Sequence, residues 1–517
     1  MKYPIGIQSF TKLREEGFVY VDKTGFLLSL IKNPGYYFLS RPRRFGKSLL
    51  LSTLHAYYTG RRDLFKGLAL DTDEVDWTPS AVIHFDFNTE NFQKEDGLDN
   101  LLESLLSEYE EKYNVTATDK TPARRFATLI RRIYEQTGRK VVILVDEYDK
   151  PLLGIEDNKQ LFEKNQATLK GFFGNLKSMD SYIELAFLTG VARFNKVSIF
   201  SDLNNLNDIS LSNEYADICG WSEEELTTSF RKGIAQLAIK RKEEFSQTLD
   251  ALRDYYDGYL FAKEGHRLYN PFSVLLAIKN QDIEPYWFES GTPTFLIKRV
   301  KASRIELPTL NHQYCRVEEM RSVGIETINP VAIMFQTGYL TIESYDAQRE
   351  RYTLRFPNME VRLGFARSLY PLYVTKSLIP NSPFSIFKFQ DDLYDGDPES
   401  YMKRLQTLIK DLPYDDNDES SYRSIVWLLN TLSSTPTTAE RHSYRGRSDL
   451  EVTTPDYIYI FEFKYNGSAA AAMDQLKRRD YAGRYAMDDR RLYLIGANFS
   501  DKGEARGLTE WQIEKLE

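Results

Sequence analysis

The sequence predicts an α/β protein in three segments: a doubly wound parallel sheet first, a helical middle, and a smaller α/β domain last. Three stretches predict it. An apolar run, Tyr36–Ser40, enters a short basic turn that ends in Gly46-Lys47-Ser48, and the helix pattern of Leu49, Leu50, Leu51 and Leu54 follows. Residues 141–145 are all β-branched or Leu and run straight into Asp146 and Glu147. Near the end, the strongly apolar stretch Tyr457–Tyr465 carries Glu462 and Lys464 two residues apart.

In chain order, residues 7–31 form a lead-in with a helix beginning near Thr24, whose hydroxyl is suited to an N-cap. The turn that follows has the chemistry of a phosphate loop. Gly46 lets the backbone come close to an oxygen-rich ligand, and N–H groups at a helix start point at an anion. Lys47 is placed to bridge the outer phosphates of a nucleotide, and the Ser48 hydroxyl to ligate Mg²⁺. The usual form of this loop opens with glycine five residues before the Gly-Lys pair; Arg41 stands there instead. Residues 80–87 read as a buried strand with His84 as a core or edge histidine. Amphipathic helices follow at 98–113 and 123–137, the second ended by Gly138.

Residues 141–145 read as a central parallel strand, because such strands are buried on both faces and lose the polar alternation. Ligands of open α/β sheets sit at the carboxyl ends of the strands. Asp146 is therefore placed to hold Mg²⁺, and Glu147 to orient and activate an attacking water. Residues 183–188 are a third such strand. Thr189 lies at its tip, where a residue can sense a terminal phosphate. Arg193 follows, as a compensating charge for the transition state or as a surface arginine. The candidate nucleotide contacts are Arg44, Phe45, Gly46, Lys47, Ser48, Leu49, Asp146, Thr189 and Arg193.

Phe45-Gly-Lys-Ser48, the Asp146-Glu-Tyr-Asp149 run, Thr189-Gly-Val-Ala-Arg193 and the opening Tyr20-Val-Asp-Lys-Thr24 resemble the bacterial AAA-ATPase-like family. The Arg41-Pro-Arg-Arg-Phe45 turn is similar to that family's usual form. The resemblance implies a P-loop fold of the ASCE/AAA-like type with ATP and Mg²⁺ as cofactors, and a helical or winged-helix lid after it. Helical patterns at 223–238 and 242–256, an aromatic turn at 286–293, a helix at 295–300 and a helix-then-hairpin at 328–358 fit that place. Their aromatics read as core.

Residues 378–383 mark a composition shift. Helices are expected over 385–412 and 422–432, with an acidic loop between them at 411–419. Residues 445–465 read as a hairpin whose midpoint falls between Pro455 and Asp456, which sets Asp449 beside Glu462. Two hard oxygen ligands within one ion's reach make a candidate divalent-metal site. Glu462 and Lys464 share one face of their strand, with Phe461, Phe463 and Tyr465 on the other. Lys464 is placed to orient a water or steady a phosphate. A helix at 469–484 carries Gln475 and Tyr481 among Lys477, Arg478, Arg479 and Arg484, bases suited to phosphate contacts. A strand at 490–496 ends the domain.

Asp449, Glu462-Phe-Lys464, Gln475 and Tyr481 resemble the PD-(D/E)XK nuclease superfamily, with its restriction-endonuclease-like α/β fold. The resemblance implies Asp449 and Glu462 as metal ligands, Lys464 as the catalytic lysine, and Gln475 and Tyr481 as accessory residues. Glu419 resembles the acidic residue of that domain's first helix.

Composition bounds the rest. The 517 residues suit two to four domains, and 42% hydrophobic content suits packed cores. A net charge of −8 argues against wholesale coating of nucleic acid while allowing a local basic site. Two cysteines support neither a disulfide framework nor a zinc cluster. The opening residues lack the apolar core of a signal peptide, and no run suits a membrane span, so a cytoplasmic location is expected. The expected domains are 1–220, 221–383 and 384–517. The expected function is an ATP-binding and hydrolysing switch coupled to a Mg²⁺-dependent nuclease, with nucleic acid, DNA more than RNA, as partner. The alternative is a non-cleaving, ATP-regulated binding module. A homo-oligomer is left open.

Overall fold

The apolar runs that open at Tyr36, Val82, Val141 and Ile183 are strands, and they lie in one sheet. The computed structural model describes residues 2–116, 119–155, 157–193, 199–200, 203, 205–289, 294–303, 305–321, 329–374, 385–410, 419–433, 450–479, 482–485, 487–500 and 507–516. The chain divides into two compact units, Met1–Leu296 with His312–Glu360, and Ile297–Asn311 with Val361–Glu517.

The first unit contains β1 (Tyr36–Ser40), β2 (Val82–Asp86), β3 (Val141–Asp146), β4 (Ile183–Gly190) and β5 (Leu206–Asp208). Their order is β2-β3-β4-β1-β5, every pair parallel. β4 therefore lies between the strand that feeds the Gly-Lys-Ser turn and the strand that ends in Asp146. All six residues of β3 are buried, which explains its unbroken apolar run. The helices Gly97–Lys112, Pro122–Thr137 and Lys159–Ser178 pack their apolar sides into the same core as this sheet, where the Phe126 and Phe172 rings stack at 4.6 Å and Phe85 meets Phe126 edge-on at 5.2 Å. The last of these helices and the three-residue β5 are additions to the sequence reading.

Thr24 is the first residue of the helix Thr24–Lys32 and does not cap it. Asp22 does the work assigned to Thr24: its Oδ1 accepts from the Thr24 backbone N–H at 2.8 Å and from the Thr24 hydroxyl at 2.7 Å.

The helices Glu223–Arg241, Phe245–Tyr256 and Pro271–Asn280 share a core with Val21, and Tyr3, Ile5 and Val19 pack against it. The lead-in and the helical segment thus fold together. An antiparallel sheet of β6 (Gln313–Arg316), β7 (Thr341–Asp346) and β8 (Arg351–Arg355), in the order β6-β8-β7, also belongs to this unit. The segment expected as 221–383 is accordingly divided between the two units. One reason is Glu360, fully buried, which bonds to Ser273 and to Trp287 and ties its part of the chain to the first unit.

The second unit carries β9 (Leu450–Thr453), β10 (Tyr457–Tyr465), β11 (Arg491–Ser500) and β12 (Gly507–Leu516) in the order β12-β11-β10-β9. β9 and β12 pair antiparallel with their neighbours, whereas β10 and β11 are parallel and are joined by the crossover helix Ala469–Arg478. That helix stops at Arg478, short of the expected 484. On one face of the sheet, Ile458, Ile460, Leu492 and Leu494 cluster with Met473 and Leu476 of the crossover helix. On the other, the Phe461 and Tyr401 rings lie 5.9 Å apart, Phe499 stacks on Tyr422 at 5.4 Å, and the Tyr459 hydroxyl donates to the Leu393 carbonyl at 2.6 Å. The helices Ile386–Tyr394, Pro398–Lys410 and Glu419–Ser433 supply that face. The acidic loop at 411–418 and the composition shift at 378–383 lie outside the described residues. Among the described residues, no helix is long and apolar enough to cross a membrane.

Candidate active sites

β1 ends at Ser40, and the turn that follows begins with a buried cation. Arg41 is 1% exposed. Its Nη1 donates to the carbonyls of Ser40 and Ser210 at 2.9 and 2.8 Å, and its Nη2 to those of Tyr215 and Ala216 at 3.0 and 3.3 Å. The guanidinium also lies over the Phe261 ring, 4.3 Å from its centre. Burial pulls the Arg41 pKa down to about 10, which leaves it charged at neutral pH. The arginine in place of the usual glycine is thus a structural tie, with its side chain turned into the protein.

The rest of the turn winds into the helix Lys47–Tyr58. Arg44 and Gly46 adopt left-handed backbone, φ 70° and 99°. The Arg44 guanidinium lies 4.6 Å from the Phe272 ring centre, and Phe45 is buried edge-on against Tyr259 and Phe261 at 4.7 and 5.3 Å. Phe45 is therefore a packing anchor, and it also lines the cavity that holds Lys47. Lys47 Nζ donates to the carbonyls of Arg41 and Pro42 at 2.9 and 3.1 Å. Burial lowers the Lys47 pKa; the charges of Glu147, Asp146 and Asp149 oppose that shift. Lys47 shares its cavity with Glu147, which directly follows β3.

Asp146 is buried, and the hydroxyl of Thr189 on β4 donates to its Oδ1 at 2.6 Å. This bond orients the carboxylate from the neighbouring strand. Glu147 takes a left-handed φ of 51°, and its carboxylate lies 3.5 Å from Lys150 Nζ. A cavity of about 440 Å³ opens here, lined among others by Arg44, Gly46, Lys47, Ser48, Leu49 and Glu147.

Arg193 is not brought to that cavity. It is buried in an ion pair with Asp208 of β5, its backbone N–H donates to the Gln336 side chain at 2.8 Å, and it lines a separate, smaller cavity with Ser40 and Pro42. Asp149 is the residue the sequence reading passed over. Its Oδ2 accepts from the backbone N–H groups of Val191 and Ala192 at 3.0 and 2.6 Å, and burial pushes its pKa up to about 6. It staples the end of β4 to the end of β3. Its place in the Asp-Glu-Tyr-Asp run was the available signal.

In the second unit, Glu462 is buried near the carboxyl end of β10. Lys464 Nζ donates to Glu462 Oε1 at 3.0 Å and to Gln475 Oε1 at 2.7 Å. The crossover helix reaches this point because it is pinned and because the sheet gives way. Ser468 caps it by accepting from the Ala471 N–H at 3.1 Å, and Glu510 accepts from the Ala469 N–H at 2.9 Å. Opposite Glu462 on β11 lies Gly496, where an added Cβ would come within 2.7 Å of the Met473 nitrogen and 2.8 Å of the Ala469 oxygen. The hairpin turns about the expected midpoint: Ile458 opposes Thr453 and Phe461 opposes Leu450. Asp449 and Tyr481 lie outside the described residues, as does the side chain of Glu419, whose backbone begins the helix Glu419–Ser433. Among the described residues, no three His, Cys, Asp or Glu side chains form a metal-holding group.

The first unit is thus an α/β unit with a phosphate-loop turn, and the second has a mixed sheet with a Glu-x-Lys strand and a crossover helix. Comparison with known proteins agrees with both. Residues 4–200 match the family described as predicted AAA-ATPase, and residues 417–509 match the PD-(D/E)XK nuclease superfamily. A protein of Azotobacter chroococcum mcd 1, described as an uncharacterized protein in the vnfD 5' region, is 34% identical over 532 residues, spanning 100% of this chain and 99% of that one. The chain belongs to the family of AAA-ATPase-like proteins that carry a C-terminal PD-(D/E)XK nuclease superfamily domain.

Proposed function

We propose that this protein is an ATP-binding and hydrolysing switch that governs a Mg²⁺-dependent nuclease, acting on DNA in preference to RNA. The observation that carries the reading is that each unit brings a lysine and an acid together: Lys47, Ser48 and Glu147 line one cavity, and Lys464 donates to Glu462 near the carboxyl end of β10. The cavity beside Lys47 falls within the roughly 300–1,000 Å³ usual for small-molecule sites.

In the first unit, Lys47 exchanges its bonds to the Arg41 and Pro42 carbonyls for the outer phosphates of ATP. Ser48 and Asp146 hold Mg²⁺, with Thr189 keeping the Asp146 carboxylate oriented, and Glu147 orients and deprotonates the attacking water. In the second, Asp449 and Glu462 would hold the cation; the described register ends with Leu450 opposite Phe461, and the two acids are the neighbours of these residues in the sequence. Their donor set is hard oxygen, which suits Mg²⁺. Bound there, Mg²⁺ supplies positive charge to a phosphodiester and lowers the pKa of a water. Lys464, steadied by Gln475, orients that water or the phosphate, and Lys477, Arg478 and Arg479 contact the backbone.

Two variants test this. Lys47→Ala should lower ATP turnover by about 100-fold or more and cut DNA cleavage with it. Glu462→Ala should abolish cleavage and leave ATP turnover in place. Cleavage untouched by the Lys47 change would remove the coupling. A wild-type chain that cuts neither DNA nor RNA with Mg²⁺ would leave a binding module in the nuclease's place.

A further inference from the structure

The phosphate turn is held in shape from outside itself. In a trans peptide the carbonyl and the next residue's N–H point in opposite directions. The Arg43 carbonyl accepts from the indole Nε1 of Trp287 at 3.2 Å, and the Phe45 carbonyl accepts from the Gly220 N–H at 3.2 Å. Two peptide planes of the turn are fixed this way; the first aims the Arg44 N–H away from Trp287, which is not among the residues lining the cavity, whereas Gly220, which fixes the second, lines it. Arg44 and Gly46 are the two left-handed residues of the turn, and both line the cavity with Lys47. Successive N–H groups in such a turn make an anion-binding concavity.

The indole is itself anchored. Trp287 is buried, its ring meets Tyr339 edge-on at 5.2 Å, and its backbone N–H donates to Glu360 Oε1 at 2.7 Å. Glu360 Oε1 also accepts from the Ser273 hydroxyl at 2.9 Å. The turn has Arg41 where a glycine would serve, and the fold supplies an external donor more than two hundred residues downstream.

We propose that Trp287 is a positioning residue for phosphate binding: its indole N–H holds the Arg43 carbonyl out of the cavity and so keeps the Arg44 N–H turned into it. This rests on the reading of the cavity as a triphosphate site. The indole donor stabilises the outward-facing carbonyl; a carbonyl rotated inward would place partial negative charge against an anion.

The test uses the full chain and calorimetric titration with Mg²⁺-ATP and, separately, with inorganic triphosphate. Trp287→Phe keeps an aromatic ring and removes the donor. It should weaken both ligands by about tenfold, the worth of one hydrogen bond, and by the same factor. The ligand-free melting temperature should stay within a few degrees of the wild type. If the phenylalanine variant fails to fold, benzothienylalanine at 287, an isostere with sulfur in place of the N–H, should give the same tenfold loss. Unchanged affinity for both ligands in the folded variant overturns the inference and leaves the nucleotide reading standing. Loss of ATP binding with triphosphate unaffected also overturns it. A wild-type chain that binds neither ligand overturns the nucleotide reading, and the inference with it.

Discussion

Lys464 on β10 donates to Oε1 of Gln475, on the crossover helix, at 2.7 Å. The same ammonium donates to Glu462 Oε1 at 3.0 Å. The lysine is thus shared between strand and helix, and both hold its charge in place. Gln475→Ala should lower the rate of Mg²⁺-dependent cleavage by about 10- to 100-fold, the usual cost of removing a supporting partner. Affinity for DNA should barely move, because the bases on the helix remain. Single-turnover cleavage beside a DNA-binding titration checks both parts.

Gly496 makes that bond reachable. A Cβ there would come within 2.7 Å of the Met473 nitrogen, which is backbone and cannot step aside. Gly496→Ala should push the crossover helix off β11, destabilise the protein by about 1–3 kcal/mol, and lower cleavage as Gln475→Ala does. Urea unfolding and the cleavage assay read the two effects. Full stability together with full activity would show that the helix yields at no cost.

Arg41→Gly restores the residue usually found at the start of a phosphate loop, and the structure predicts harm from it. The substitution strands the carbonyls of Ser210, Tyr215 and Ala216, now bonded by the guanidinium, and adds freedom to the unfolded chain. The expected loss is about 3 kcal/mol of stability, measured by urea unfolding, with weaker ATP binding alongside. A glycine variant that binds ATP more tightly would count against the structural role of Arg41.

Glu360 sets a pH dependence. Burial raises its pKa from 4.5 to about 8, against the bonds from the Trp287 and Tyr286 backbones and from Ser273, which lower it. Tyr256 and Tyr259 also face it. The folded state holds this proton more tightly than the unfolded chain does. The contribution of Glu360 to stability is therefore full below about pH 4.5 and is lost as pH rises through about 8. Glu360→Gln keeps an acceptor for Trp287 and Ser273 and removes the titration. Its melting temperature should match or exceed the wild type's at pH 8.5, and the fall between pH 5 and 8 should flatten. An unchanged slope would assign that fall to other groups.

Much of the chemistry was legible along the chain because it lies in local runs. A buried parallel strand must be apolar throughout, so residues 141–145 declared themselves, and the acids after them fell at the carboxyl edge of the sheet. The pairing of β9 with β10 followed from the turn chemistry between them, since a hairpin's register is set by its turn. Glu462 and Lys464 share a face because side chains alternate along a strand. The elements passed over are the short β5, the helices Lys159–Ser178 and Met359–Tyr373, and the edge strand β12, which follows the strand expected to end the domain.

Local sequence determined that a phosphate turn, an acidic strand end and a Glu-x-Lys strand exist in this chain, because each is encoded within a few consecutive residues. Only the tertiary structure decided that Arg41 turns inward, that Arg193 pairs with Asp208 away from the Lys47 cavity, and that Trp287 braces the turn. Those outcomes depend on which carbonyls, carboxylates and rings arrive from distant parts of the chain. A buried charge or donor goes where such partners satisfy it, and their positions are set by packing.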